Sequence, residues 1–335
     1  MNSDHFHVLD DQVVAQRQRS LKAMSALQQA RGAMTRCAYE LEWVEEAGER
    51  HLVRTSGDRR AIIKAGSEHD LETMRAKHLE KRKLAQLELE QAQEAYANAV
   101  IDNRALSEGS VPDLVVRVLK VLHEQDLMNY YRVIGTHALH AYEAAASVAF
   151  TSDTTATQDI DLLWNYERRL QFSHTMQDPP RSMIDVLQLA DPSFERDEDN
   201  KESAINDQGF AVDFLRTENK PKSQDAYTIS SHVGDVMPVQ AVDSAQFMQG
   251  PVFAHVVFGS GSGEMVMLPT VDPVIFASFK QKMSQSDDRE SNKRGRDATQ
   301  ARAVVELLNA GRLRTALRAE QLRGFPVEGL RLPPS

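Results

Sequence analysis

The sequence predicts an α+β protein: a small mixed β-sheet flanked by helices, with an N-terminal extension of helices and a β-meander and a C-terminal helical subdomain. Three observations predict it. Over the first hundred residues, the spacing of apolar residues changes from helical to alternating and back to helical. From Tyr131 onward, short apolar runs of strand length are interleaved with helical stretches. After Pro273 the helical period returns.

The elements follow in order. Between Asp11 and Arg36, Val14, Leu21, Met24, Leu27 and Met34 recur at roughly helical spacing among Gln, Arg and Lys, the pattern of an amphipathic helix. Tyr39, Leu41 and Trp43 then alternate with Glu40 and Glu42, and apolar runs after Gly48 and Gly57 add two strands, giving an antiparallel meander. Residues 67–106 are rich in strong helix formers and hold no interior Gly or Pro, so one long exposed helix is expected. Its heptad reading from Leu71 and Met74 runs into His78, Lys81 and Glu88, which argues against a stable coiled coil and leaves a hairpin with the first helix as the alternative.

Ser107-Glu108-Gly109-Ser110, with Pro112 just inside an apolar helix over 114–127, marks a domain boundary. Strands are expected at 131–134, 159–164 and 210–215, a helix at 137–147, and loop with helix from Asp178 to residue 206. Apolar runs at 252–258 and 265–268 flank Gly259 to Gly263 and read as a hairpin, followed by helices at 274–283 and 294–308. The expected domains are 1–108, 109–270 and 271–335.

Composition bounds the function. A chain of 335 residues with 41% hydrophobic content buries a sizeable core. Its formal charge of -10 offers no overall attraction for nucleic acid, so an RNA acceptor would need a local basic patch. The single cysteine, Cys37, excludes an internal disulfide and a multi-Cys zinc cage and suits a reducing compartment, with cytoplasm as the expected location. Neither a secretion signal nor a membrane span is expected.

The residues that can carry chemistry are mostly acids. In Asp159-Ile160-Asp161, side chains two apart on a strand share a face, so two carboxylates stand close together and call for a hard cation such as Mg²⁺ or Mn²⁺. An edge strand facing water, or a helix cap, would account for the pair equally well. Asp213 lies inside the apolar run 210–215, where an isolated acid needs an ion or a partner such as Arg168 or Arg216. Ile134-Gly135-Thr136-His137 falls at a strand-to-helix junction, where exposed N–H groups and the Thr hydroxyl can bind phosphate; the alternative is Thr136 as a plain N-cap.

Other groups invite plainer readings. His137 and His140 lack a third ligand at suitable spacing and read as structural. The acidic stretch of Asp185, Asp191, Glu195, Asp197, Glu198 and Asp199 reads as a solvated loop. Arg289, Lys293, Arg294 and Arg296 form the one dense basic segment, in which Lys293 and Asp297 have the spacing of an i,i+4 helix pair.

Val133-Ile134-Gly135-Thr136-His137-Ala138-Leu139, Thr157-Gln158-Asp159-Ile160-Asp161-Leu162-Leu163 and Val212-Asp213-Phe214 together resemble the DNA polymerase β-like nucleotidyltransferases, and among them the bacterial minimal-type group. The likeness continues in 273–280 and in Arg289, Lys293, Asp297 and Gln300-Ala301, covering roughly 111–308. The resemblance implies a small mixed sheet with flanking helices, a triphosphate held at Gly135 and Thr136, and two Mg²⁺ or Mn²⁺ ions held by the catalytic acids Asp159, Asp161 and Asp213. It also implies that Lys280 reaches the triphosphate, with a snorkelling surface Lys as the alternative, while Arg289 and Lys293 of the basic segment are placed to contact phosphate or an RNA acceptor, or to lie in a solvated turn. The chain departs from the family pattern in having Gly-Thr for Gly-Ser or Gly-Gly, and a longer stretch between Gly135 and Asp159, whose polar residues 151–157 are placed to form a loop over the site.

The expected activity is transfer of a nucleoside monophosphate from an NTP to a hydroxyl of an RNA 3′ end, a protein or a small molecule, with a toxin-like role admitted. The alternative is a catalytically silent nucleotide-binding scaffold that recruits a partner protein, or a second copy of itself, through its N-terminal helices.

Overall fold

The computed structural model describes residues 3–46, 48–64, 66–106, 108–177, 181–217, 229–241, 244, 247–248 and 250–331. Ser107 and Asp178, which the sequence reading placed at a boundary and at a loop start, lie outside the described residues. The chain forms two compact units, Ala15–Ala105 and the remainder, Met1–Val14 with Leu106–Ser335. Residues 1–14 and the C-terminal helices thus belong to the same unit as the central sheet.

In chain order the first elements are β1 (Phe6–Val8), α1 (Asp11–Arg36), β2 (Glu40–Glu46), β3 (Glu49–Ser56), β4 (Arg59–Ile63) and α2 (Glu68–Asn103). Within the first unit, β2, β3 and β4 form the expected antiparallel meander. A capping box opens α2: the Ser67 hydroxyl accepts from the Asp70 N–H at 3.3 Å, and the Asp70 carboxylate accepts from the Ser67 N–H at 3.0 Å. The buried stripe of α2 repeats every seven residues, through Leu71, His78, Ala85, Ala92 and Ala99. Leu27 and Ala30 of α1 pack on Ala92, while Ser20 Oγ donates to Asn103 Oδ1 at 2.7 Å. Low numbers on one helix meet high numbers on the other, so the two run antiparallel as a hairpin. His78 does not interrupt the stripe: its Nε2 bonds the Tyr39 carbonyl at 2.9 Å and its ring stacks on Tyr39 with centroids 4.1 Å apart.

The second unit continues with α3 (Asp113–Glu124), β5 (Tyr131–Ile134), α4 (Ala138–Ala146), β6 (Val148–Phe150), α5 (Ser152–Thr155) and β7 (Asp159–Trp164). Next come α6 (Arg169–Gln177), α7 (Met183–Gln188), β8 (Glu195–Arg196), β9 (Ser203–Ile205), β10 (Ala211–Arg216) and β11 (Val239–Gln240). The chain then forms β12 (Phe253–Phe258), β13 (Met265–Thr270), α8 (Pro273–Ser284), α9 (Ser291–Asn309) and α10 (Ala319–Leu322). The sheet order is β12-β13-β5-β7-β10-β9-β8, with β11 also paired to β10. It is mixed: β7 runs parallel to β10 and antiparallel to β5.

Pleating divides the core in two. Ile160, Leu162, Trp164, Val212 and Phe214 face one way, packing with Val115, Leu119 and Leu122 of α3 and Val186 of α7. Leu163 faces the other way, into a second cluster with Leu139 and Tyr142 of α4, Val274 and Phe276 of α8 and Val304 and Leu308 of α9. The acids at 159, 161 and 213 have the parity of this second face.

Several local expectations need correction. The stretch up to residue 206 is not only loop and helix, because β8 and β9 pair within it and extend the sheet. Its acids are not simply solvated: Asp185 caps α7 through Ser182, and Asp191 accepts from Ser193 and Asn206. Pro112 takes the cap position of α3 instead of the first turn, and that helix ends at Glu124. The pairing of β1 with β6, Phe6 opposite Phe150, carried too short a pattern to be read.

The helix α8 carries Lys280, and its entry is fixed by Asp272. That buried carboxylate accepts from Val274 N–H at 2.9 Å, Ala316 N–H at 2.8 Å and the Thr315 hydroxyl at 2.8 Å. Asp272→Ala leaves those donors without an acceptor and should cost about 2–4 kcal/mol of unfolding free energy in urea titration, with Asp272→Asn costing clearly less.

Candidate active site

The register of three strands assembles the acids. In the parallel β7–β10 ladder Asp161 lies opposite Asp213 and Asp159 opposite Ala211, and in the antiparallel β5–β7 ladder Ile134 lies opposite Asp161. Side chains alternate along a strand, so Asp159, Asp161 and Asp213 project from one face of the sheet next to the end of β5. Asp213 is not paired with Arg168 or Arg216; the Ser203 hydroxyl of β9 donates to its Oδ1 at 2.6 Å. Thr157 donates to Asp159.

Gly135 follows β5 with φ +65°, a conformation that favours glycine. A Cβ here would lie 1.9 Å from Asp161 Oδ2. The backbone therefore passes against the central acid in a way that no side chain allows. Thr136 is buried and is not an N-cap, since α4 begins at Ala138. Its hydroxyl instead accepts from Gln300 Nε2 at 3.1 Å, and the same nitrogen donates to the Thr154 carbonyl at 2.9 Å. That amide ties the Gly-Thr turn to the helical turn α5, in the polar stretch expected to lie over the site.

Two cations flank the acids. Lys280, 4% exposed, places its Nζ 2.7 Å from Asp297 Oδ1, and Arg289 Nε lies 2.5 Å from Asp297 Oδ2. Asp297 is fully buried between them. The i,i+4 pairing of Lys293 with Asp297 is therefore not formed: Lys293 points outward and meets Glu290 at 3.4 Å. Among the other basic residues of this segment, Arg294 pairs with Asp287 at 3.7 Å and Arg296 donates to the Ala156 carbonyl at 3.3 Å. Four of the five expected phosphate-binding residues, Gly135, Thr136, Lys280 and Arg289, thus lie around the acids or packed behind them, and Lys293 lies at the exposed start of α9.

The electrostatics record the crowding. Burial pushes the Asp161 carboxyl up to about 7, Asp159 and Asp213 add to the rise, and Lys280 and Arg289 oppose it. Burial also raises Asp213, with Asp159, Glu202 and Asp197 adding to the shift and the Ser203 hydroxyl opposing it. Burial lowers Lys280, against the pull of Asp297 and Asp161. His137, buried beside His140, is pushed down to about 3 and is neutral at working pH. His140 Nδ1 lies 2.6 Å from Glu143 Oε2, whose other oxygen accepts from the Phe150 N–H, so this pair fastens α4 to β6.

Among the described residues, no three His, Cys, Asp or Glu side chains already converge as a metal-ligand set. Asp159 and Asp213 are each turned to a neighbouring hydroxyl. The donor chemistry fits a hard divalent cation all the same, because these carboxylates repel one another on a shared face and all of their ligating atoms are oxygens. A cleft of about 680 Å³ lined by Ile275, Phe279, Lys282, Phe325 and Val327 holds none of these residues and is apart from this chemistry. The sequence reading missed Ser203, which carries no motif. It named Asp297 through the family likeness but gave it Lys293 as its helix partner, and so missed the clasp with Lys280 and Arg289.

A family model described as "Nucleotidyltransferase" matches residues 113–322, more than half of the chain. No curated protein and no solved structure gives a match. The matched span begins at α3 and ends with α10, and contains every acid and cation of the site. No helix among the described residues is long and apolar enough to cross a membrane.

A raised carboxyl makes a prediction about stability with a definite sign. Asp161 holds its proton more tightly folded than unfolded, so its contribution is full below the unfolded value near 4 and is lost as pH rises toward 7. In a divalent-free buffer, Asp161→Asn should therefore gain on the unchanged chain by roughly 2–4 kcal/mol between pH 5 and pH 8, from ~1.4 kcal/mol per pH unit. Urea titrations at the two pH values read this directly, and a gap that stays constant would show that Asp161 titrates normally.

Proposed function

Because the chain belongs to the nucleotidyltransferase family, we propose that it transfers a nucleoside monophosphate from an NTP to a hydroxyl acceptor with release of pyrophosphate, and that it does so with divalent cations. The observation that supports this most is the in-register placement of Asp161 opposite Asp213, with the Gly135 backbone against Asp161. The order of the pieces, a Gly-Thr turn, then Asp-x-Asp on the next sheet strand, then a lone Asp on its parallel neighbour, supports assignment to the polymerase β-like superfamily and to its bacterial minimal-type group.

In this proposal Asp159, Asp161 and Asp213 hold two Mg²⁺ or Mn²⁺ ions. Such ions, when bound, neutralise triphosphate charge and lower the pKa of an attacking hydroxyl. To accept them, Asp159 and Asp213 exchange their Thr157 and Ser203 hydroxyls for the ions. The turn at Gly135 carries no side chain and lies directly against the Asp161 carboxylate, and its place just before α4 suits a phosphate bound beside that acid. Lys280 and Arg289, held by Asp297, present fixed positive charge to the charge that develops on pyrophosphate. Asp213 is the acid suited to take the proton from the acceptor hydroxyl, because in the superfamily that the chain resembles the third acid lies nearest the acceptor. Lys293 serves the outer edge of the triphosphate site. The acceptor is an RNA 3′ end, a protein side chain or a small-molecule hydroxyl, and an acceptor essential to the host cell makes the activity toxin-like.

The test is incubation with α-labelled NTPs, Mg²⁺ or Mn²⁺, and total cell RNA or protein. Label should move to an acceptor, vanish with EDTA, and fall by about 10³-fold or more in Asp161→Asn, Asp213→Asn and Gly135→Ala, as loss of essential groups does. Labelled free NMP as the sole product would reassign the site to hydrolysis. Nucleotide binding without any labelled product would favour the silent scaffold.

A further inference from the structure

The long helix α2 uses one stripe for packing and leaves another bare. Lys77, Leu84, Leu87, Gln91, Glu94 and Ile101 are separated by steps of three, four or seven residues, share a face and are all exposed. Leu84 is 55% exposed, Leu87 50% and Ile101 59%, large values for apolar side chains at regular spacing. This face lies well around the helix from the buried seam at Leu71, His78, Ala85, Ala92 and Ala99.

The charges beside it are segregated with one exception. Lys77, Lys81 and Lys83 precede the two leucines, with the exposed Glu80 among them, and Glu88, Glu90 and Glu94 follow the leucines or lie just beyond. The ion pairs that α2 does form use Glu68, Glu72, Arg75 and Arg82. Among the described residues, those three lysines and three glutamates take part in no ion pair.

We propose that this face is a self-association surface on which two copies of the chain pair through α2, antiparallel, about a twofold axis at Ala85 and Gln86. That arrangement lays Leu84 of each copy on Leu87 of the other. On one flank Lys81 meets Glu88 of the second copy, and on the other flank Lys83 meets Glu90. Members of each flanking pair lie about 3 Å apart along the axis, from a rise of ~1.5 Å per residue, well within the reach of a lysine. Farther out, Lys77 stands opposite Glu94.

A second copy is the occupant that the charge pattern selects. A uniformly acidic or basic partner would match one half of the face and repel the other, and a parallel second copy would set Lys77 on Lys77 and Glu94 on Glu94. Two leucines per copy make a small apolar centre, so the pairing is weak, concentration-dependent and loosened by salt. The inference stands apart from the proposed activity.

Sedimentation of the full chain over a concentration series at low salt tests it. A monomer–dimer equilibrium is expected, weakened at least tenfold by the double substitution Lys81→Glu with Lys83→Glu. Mixing that variant with one carrying Glu88→Lys and Glu90→Lys should restore pairing between the two different chains. Combining all four substitutions on one chain should restore self-pairing, a rescue that misfolding cannot imitate. For direction, Lys77→Cys should cross-link to a chain bearing Glu94→Cys and not to itself. A chain that remains monomeric throughout, a dimer indifferent to charge reversal, or self-cross-linking of Lys77→Cys would each overturn the proposal.

Discussion

The parallel pairing of β7 with β10 is the constraint on which the catalytic unit depends. Because Asp161 faces Asp213 in that ladder, two carboxylates from distant parts of the chain occupy neighbouring positions on one face, and Asp159 joins them by strand parity. A slip of one residue would turn Asp213 into the opposite core and bring Val212 or Phe214 to the acid face. The two apolar cores hold the register against such a slip, since Ile160, Leu162, Val212 and Phe214 are fully buried on the far side.

The crowding has a cost that the surroundings only partly relieve. Asp161 has its proton affinity raised by burial and by its two neighbours, and Lys280 and Arg289 lower it less than these raise it. Those two cations are themselves held by a fourth carboxylate, Asp297, which lies fully buried between them. A buried Lys and a buried Asp would each be costly alone; together with Arg289 they form a satisfied group whose position does not depend on a ligand. The Gly135 turn completes the arrangement by bringing backbone where a side chain would collide with Asp161.

Much of this was legible in the sequence, and the reasons differ by element. The helix Asp11–Arg36, the meander and the strands Tyr131–Ile134 and Asp159–Trp164 carry strong local periodicity, and the structure places them where the pattern did. The long helix was read, but its seam was not: alanines at seven-residue spacing look weak as a hydrophobic stripe, yet small side chains allow two helices to approach closely, and His78 finds its partner only through the meander. The short strands β1, β6, β8 and β9 hold two or three residues each, too few for any period to show. Within the site, the acids could be named because an acid in an apolar strand is anomalous. Ser203 could not, and Asp297 and Gln300 were named only through the family likeness, without their contacts, since ordinary polar residues acquire their roles only from three-dimensional neighbours.

The charge balance of the site bears on how a triphosphate would enter. Asp159, Asp161, Asp213 and Asp297 set four carboxylates against two cations, Lys280 and Arg289, so in the absence of other ions the cleft is net negative when all are ionised and repels a polyanion. Protonation of Asp161 near neutral pH relieves this only in part. On the proposed reading, divalent ions reverse the sign, and the affinity for nucleotide is then coupled to the affinity for cation by the same free energy in both directions. Lys280 and Arg289 cannot substitute for the ions, because their charge is already shared with Asp297. On that reading the clasp does not attract the triphosphate by itself; it would hold donors for the phosphates of a cation-bound nucleotide, and the decision to bind would rest with the three acids on β7 and β10.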